Sequence, residues 1–186
     1  MEANTDIEAT IPVGTWAVDP SHSSIEFAVK HMGIATLRGV FNRFDGTLEI
    51  GDDLASSRAS GSVEVASVDT NEPDRDSHLC SPDFFDVEKH PKMTFASTAI
   101  EQVDDGAYRI AGDLTMHGIT REMTLEVHAN GTDIDPWGNQ RLGLEVAGEL
   151  SRGDYDMKFN QALGSGNMLV GDKIKLTLGI SAVKQL

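Results

Sequence analysis

Apolar and polar residues alternate one by one along much of this chain, and a period of two marks a strand with one buried face and one wet face. In "SSIEFAVKHM", Ile25, Phe27, Val29 and His31 share one face against Glu26 and Lys30. "GITREMTLEVHA" sets Ile119, Met123, Leu125 and Val127 against Glu122, Thr124, Glu126 and His128. "DKIKLTLGISAV" sets Ile174, Leu176, Leu178 and Ile180 against Lys173, Lys175 and Thr177. Weaker versions run through "ASGSVEVASV", "KMTFASTAI", "AYRIAGDLTM" and "RLGLEVAGEL", and put Val63, Val65, Phe95, Leu114, Leu144 and Val146 on inward faces. "LRGVFNRFDGTLEI" changes parity between Phe41 and Phe44, which predicts a bulge near Asn42 and Arg43 that returns both rings to the interior.

Turn chemistry separates these segments: "GDD" at 51–53, "DDG" at 104–106, "HG" at 117–118 and "DPWGN" at 135–139. About eight main strands joined by short connections favour antiparallel neighbours. They predict an all-β fold, an eight-stranded up-and-down antiparallel barrel, with a two-sheet sandwich as the competing arrangement. One stretch breaks the pattern. "TNEPDRDSHLCS" offers Asn71 as a helix N-cap, Pro73 in the first turn and Asp74 and Asp76 where a helix N-terminus favours negative charge. A short helical insertion is therefore expected near residues 72–86. Pro82 ends the helix, Ser81 caps a further turn, and Phe84 and Phe85 form a lid or plug at one end of the barrel.

Length narrows the picture. A chain of 186 residues fits one domain, here a polar tail over 1–13 followed by a barrel domain over 14–186. The formal net charge of -15 argues against nucleic acid, whose binding relies on clustered Lys and Arg, and against an anionic membrane surface. No apolar run approaches the roughly 20 residues of a membrane span. The opening "MEANTDIEATIPVG" lacks the basic and apolar regions of a secretory leader, so a cytoplasmic protein without stable membrane insertion is expected. The single cysteine, Cys80, permits no intramolecular disulfide.

Candidate chemistry is sparse. The six histidines show no close pair of the kind that ligands on one element form, so no metal is expected. His31 lies in phase with apolar neighbours and either bonds inside or faces a ligand. Cys80 reads as an inert thiol, no "GxSxG" elbow is present, and "GSGNMLVG" at 164–171 reads as a turn before the last strand. An enzyme would have to use His31, His78 or Asp74 at the barrel mouth as acid or base. A solid-cored interaction protein is the further alternative to a ligand carrier.

Longer strings carry a family likeness. Through "WAVDPSHSSIEFAVKHMGIATLRGVFNRFDGTL", "VASVDTNEPDRDSHLCSPDFFDVEKHPKMTF", "IAGDLTMHGITREMTLEV" and "LVGDKIKLTL", the chain resembles the YceI family of lipocalin-like polyisoprenoid-binding proteins, over nearly everything from Trp16 to Val183. The resemblance implies an extended eight-stranded barrel with helical elements. It also implies a non-enzymatic carrier or reservoir for a long isoprenoid lipid, of the isoprenoid quinone or polyprenyl phosphate type, with no cofactor besides that lipid. The lumen residues expected to touch it are Ile25, Phe27, Val29, His31, Phe41, Phe44, Val63, Val65, Phe84, Phe85, Phe95, Leu114, Met123, Leu125, Val127, Leu144, Val146, Leu176 and Leu178. Tyr155-Asp156 stands where the family usually has Phe or Trp followed by Gly, and Cys80 where a basic residue is common.

Parity makes a direct prediction. Leu125→Arg puts an unpartnered guanidinium into an apolar interior at a cost of several kcal/mol, so ligand retention is lost and the fold is weakened. Glu126→Arg alters the surface and shifts stability by no more than about 0.5 kcal/mol. Melting temperature and retained lipid of both variants beside the parent check this. The opposite ranking inverts the register of the strand.

Overall fold

The alternating segments become strands in the computed structural model, which describes residues 11–186. In chain order they are β1 (Gly14–Val18), β2 (Ser24–His31), β3 (Ala35–Phe41), β4 (Phe44–Ile50), β5 (Arg58–Glu64), β6 (Val68–Asp69), β7 (Lys92–Asp104), β8 (Ala107–Met116), β9 (Ile119–Ile134), β10 (Gln140–Ser151) and β11 (Lys173–Lys184). One helix, α1 (Pro73–Cys80), falls between β6 and β7. Strands β1, β4, β5 and β7 to β11 form a closed antiparallel ring of eight, with β11 returning to pair with β1.

The ring is not a simple meander. The order is sequential from β7 to β11, but the β2–β3 hairpin and the two-residue β6 lie outside the ring. The reason is a mismatch in length. β1 has five residues and β11 has twelve, so β1 pairs only with 182–184 while β2 pairs with 175–179 of the same edge. The parity change at Phe41 and Phe44 is likewise a strand break, not a bulge. β3 ends at Phe41 and β4 begins at Phe44 against different neighbours, and the link is held by the Asn42 N–H on the Ser67 carbonyl (3.2 Å) and the Arg43 N–H on Ser67 Oγ (3.0 Å).

Two apolar clusters fill the interior. One gathers Trp16, Leu142, Leu144, Val146, Val127 and Ala182, and the other Phe41, Val65, Leu114, Met116, Met123 and Tyr155. Trp16 is fully buried, and its indole N–H donates to the Pro12 carbonyl at 3.0 Å while Ile11 packs on the same cluster. Residues 11–13 of the expected tail therefore dock on the barrel, because a buried indole donor requires an acceptor. The rest of that tail lies outside the described residues. Inner-face glycines make room for large neighbours: a Cβ on Gly39 would sit 2.4 Å from the Phe27 ring, and one on Gly112 would sit 2.3 Å from the Phe95 ring. These rings lie flat across the adjacent strand, which a side chain there would prevent.

The helix is capped one residue later than expected. The Glu72 carboxylate accepts from the Asp74 and Arg75 N–H groups, Asn71 takes a left-handed φ of 65°, and Pro73 occupies the first turn.

At the Trp16 end, Arg141 joins two carboxylates across the chain: Asp19 (2.9 Å) and Asp135 (2.8 Å). Donation from Ser21, Arg141 and His22 holds the Asp19 carboxyl well below the usual carboxylate range. Burial pushes Asp135 up, but Arg141, Asn139 and the Trp137 N–H outweigh it and hold it at about 2. Both groups ionise more readily in the folded chain than in the unfolded one, where a carboxyl titrates near ~4. Their contribution is therefore fully present above about pH 4 and is lost as pH falls through the folded values. Arg141→Met is expected to melt below the parent at neutral pH, with the gap narrowing from about pH 4 downward. Melting curves across pH check this, and a gap constant down to pH 2 refutes it.

Candidate functional site

Where β2 and β3 leave the ring, the wall splits and a cavity of about 370 Å³ opens inside it. Phe27, Val29 and Leu37 form one wall, Ile174 and Leu176 of β11 another, and Met93, Met116 and Leu150 the floor. The remaining side is closed by α1 and the turn after it, through Leu79, Phe84 and Phe85. Aromatic rings organise this lining in two groups. Phe41 stands between Phe27 (5.5 Å between centroids) and Phe85 (5.9 Å), while Phe84, His78 and Phe159 form a triangle with centroids 4.9 to 5.3 Å apart. Edge-to-face and tilted contacts of this kind add to area burial.

The lid is wired by its own backbone. Arg75 donates to the Thr70 hydroxyl and carbonyl, both at 2.7 Å, which fixes α1 against the strand end. Past Ser81, the Phe84 N–H donates to the Ser81 carbonyl (3.0 Å) and the Phe85 N–H to the Leu79 carbonyl (2.9 Å), so both rings turn inward. Phe84 is buried and Phe85 half-buried. The lone thiol, Cys80, packs beneath them against the second cluster. Burial, with Asp76 nearby, pushes that thiol up and keeps it un-ionised.

A buried guanidinium holds the mouth. Arg152, 4% exposed, has no carboxylate in salt-bridge range among the described residues. It donates instead to four carbonyls, those of Gly171 (2.8 Å), Met157 (2.7 Å), Phe159 (2.9 Å) and Val170 (3.2 Å). Both ends of the 157–171 loop are thereby tied to one side chain, whose planar fork suits several acceptors at once. Burial pulls its pKa down from the ordinary arginine value, which starts high enough for the group to stay charged. Rim residues are mixed: Lys30, His31 and Thr36 border the cavity, and beside them Met32, Ile34 (79% exposed) and Met168 present apolar side chains to solvent.

Seven of the predicted lumen residues border the cavity: Phe27, Val29, His31, Phe41 and Leu176 on the strands, and Phe84 and Phe85 on the lid. The other twelve do not. Val127, Leu144, Val146 and Leu178 pack around Trp16, Ile25, Val63, Val65, Leu114 and Met123 join the second cluster, and Phe95 and Leu125 touch both. Phe44 borders a small hollow with Pro20, Arg43 and Lys92. Alternation reports which face is inward, and side chains fill most of that interior. Of the acid–base candidates, His31 and His78 border the cavity and Asp74 does not. The alternation puts Ile174 on an inward face without naming it among the ligand contacts, and it passes over Leu37, Met93, Met116 and Leu150, although each lies in phase with an inward face. Arg152, Met157, Phe159 and Leu169 carry no periodic signal.

Spacing along the chain does not show where the histidines meet in space. Asp86 and His90 share one turn, closed by the His90 N–H on the Asp86 carbonyl (2.9 Å), and His117 comes from another, yet the ligand-type atoms of all three lie within 4.8 Å of one another.

The family model for the YceI-like domain matches residues 16–182. The chain belongs to the YceI-like family. A UPF0312 protein of Staphylococcus epidermidis is 39% identical over 160 residues, covering 84% of this chain and 90% of that one. Among solved structures, BcnA of Burkholderia cenocepacia superposes with a TM-score of 0.77 at 19% identity, over 88% of this chain and 98% of that one. A polyisoprenoid-binding domain from Saccharophagus degradans, implicated in plant cell wall breakdown, superposes with a TM-score of 0.70 at 11% identity, over 91% and 98%. At these identities the two structures speak for the barrel itself.

The YceI-like frame explains the departure at Tyr155-Asp156. Tyr155 is 2% exposed and keeps an aromatic ring in the core, whereas Asp156 adopts a left-handed φ of 58°, where glycine carries no Cβ penalty. Aspartate is among the few other residues that tolerate this conformation.

Removing the mouth clamp has a definite cost. Arg152→Met leaves four carbonyls without their donor and is expected to destabilise the fold by about 2–4 kcal/mol. Limited proteolysis of that variant should cut within 157–171 while the parent resists. Denaturant unfolding and peptide mapping check both statements, and an unchanged midpoint with a protease-resistant loop contradicts them.

Proposed function

We propose that this chain binds the tail of a polyisoprenoid lipid, an isoprenoid quinone or polyprenyl phosphate, and acts as its carrier or reservoir. The observation that carries the reading is the cavity of about 370 Å³, walled mostly by apolar side chains, with Lys30 at the rim and the donors of Arg75 and Arg152 taken up by protein acceptors. Membership of the YceI-like family and the fold shared with a polyisoprenoid-binding domain support it.

Energetics favour a long run of apolar contacts over a few polar ones. Each buried methylene contributes about 0.8 kcal/mol, so a five-carbon unit contributes about 4 kcal/mol gross. Three or four units offset association costs of about 4–15 kcal/mol. The headgroup stays at the rim, where Lys30, His31 and Thr36 offer donors to a phosphate or a quinone carbonyl. Contact with the ligand is assigned to the seven bordering residues named above, joined by Leu37, Ile174 and Met116.

A binding role is favoured over catalysis because the acid–base candidates His31, His78 and Asp74 do not come together at the cavity. Asp74 lies away from the cavity, and His78 is engaged by Asp83 at 2.8 Å between the rings of Phe84 and Phe159. None of the described helices is long and apolar enough to cross a membrane.

Native mass spectrometry of the purified protein, with organic extraction and added prenyl lipids, tests the reading. One prenyl lipid per chain is expected. Leu37→Trp should fill the cavity, cut retained lipid at least tenfold and leave the melting temperature within a few degrees of the parent. A parent that neither carries nor takes up prenyl lipid overturns the proposal, as does full retention by Leu37→Trp.

A further inference from the structure

The lid segment and the β8–β9 turn meet at three groups with the chemistry of metal ligands. Asp86 and His90 stand at the end of the lid segment, and His117 sits in the turn, joined to Gly118. One potential ligand atom from each lies within 4.8 Å of the others. The two imidazole rings face each other with centroids 5.1 Å apart, tilted by 73°.

Three further observations show how the groups are presented. His117 Nδ1 lies 2.7 Å from the Tyr155 carbonyl, so Nδ1–H donates and the lone pair is on Nε2. Tyr155 is 2% exposed, which makes that carbonyl a fixed anchor of the kind that orients ligating imidazoles and raises their basicity. The Asp86 carboxylate is only 15% exposed, and its one charged neighbour among the described residues is Lys89, at 3.9 Å. At Gly118, a Cβ would stand 2.7 Å from His90 Cε1, so the turn leaves space that the His90 ring fills.

We propose that Asp86, His90 and His117 form a site for one divalent ion of the zinc class, which staples the Phe84–Phe85 lid to the β8–β9 turn. Two imidazoles and a carboxylate suit zinc and its borderline neighbours, whereas calcium and magnesium favour all-oxygen sets. Zinc bonds of about 2.0–2.2 Å bring ligand atoms to roughly 3.3–3.5 Å of one another. Rotation of three half-buried side chains closes the remaining distance, and water takes the fourth position. The ion joins two segments that otherwise meet through ring contact, so it slows opening of the lid. This inference does not depend on what the cavity holds.

The test uses the full chain stripped with a chelator, then titrated with Zn²⁺ alone and with Co²⁺ as a spectroscopic probe. One ion per chain, a melting temperature raised by several degrees and visible d–d absorption from bound Co²⁺ are expected. Hydrogen exchange across 81–90 and 117–118 should slow with Zn²⁺ present. His90→Phe and Asp86→Asn should each weaken Zn²⁺ binding at least tenfold while the stripped variants melt near the stripped parent. His22→Gln, at the exposed pair with Asp19, should leave the zinc response unchanged. His117→Asn, which tolerates the left-handed φ of 55°, gives a third variant should one of the others fail to fold. A parent whose melting temperature and exchange ignore Zn²⁺, or a zinc response that survives His90→Phe and Asp86→Asn, overturns the proposal.

Discussion

A strand edge can hydrogen-bond one neighbour at each residue, and the edge of β11 is shared between two. Its end, 182–184, closes the ring with β1, while 175–179 is given to β2. Everything distinctive about the interior follows from that division. At the β1 end the ring is narrow and filled by Trp16, Leu142 and Ala182, each 0–1% exposed. At the other end the wall forks, the β2–β3 hairpin swings away from β4 and β5, and the space between must be closed by something other than sheet. The helix and its following turn do this, with Phe84 and Phe85 facing inward.

The fork also explains where polar chemistry appears. A sheet satisfies its own backbone, but the loop that rounds the open end does not, and its carbonyls converge on Arg152 in place of a ladder. A buried cation is costly in an apolar setting, and four carbonyl acceptors at 2.7 to 3.2 Å, with the Asp172 charge farther off, supply the compensation. The same economy recurs at the lid, where Arg75 holds Thr70 and backbone bonds around Ser81 set the two rings. Arg75 and Arg152 border the cavity, but their donors are turned to backbone and hydroxyl acceptors, so the lining stays mostly apolar.

Much of this was legible in the alternation. The inward faces of β2, β9 and β11 were read correctly, as were the turns at 104–106, 117–118 and 135–139 and the presence of a helix after Asn71. What alternation could not report is depth along the barrel. Val127 and Leu176 have the same kind of signal, yet one packs around Trp16 and the other borders the cavity. It also missed groups placed by irregular backbone. Arg152 follows an apolar run as any surface arginine would, Phe159 and Leu169 lie in a loop without period, and the meeting of His90 with His117 depends on where two turns end in space. The break between Phe41 and Phe44 looked like a bulge because both give the same parity change.

The pairing of Trp16 with Lys184 has a consequence in time as well as in space. Contacts so distant in sequence are slow to form, because the entropy of closing a long loop precedes any gain from the contact. The β7 to β9 hairpins can assemble locally, but the seam waits for the last strand, and so do the walls supplied by Ile174 and Leu176. Until residues 173–184 have emerged from the ribosome, the inner faces of the earlier strands remain open to water and to other chains. The cavity and the native state are therefore completed in one event, and no fragment ending before β11 has a lumen to fill.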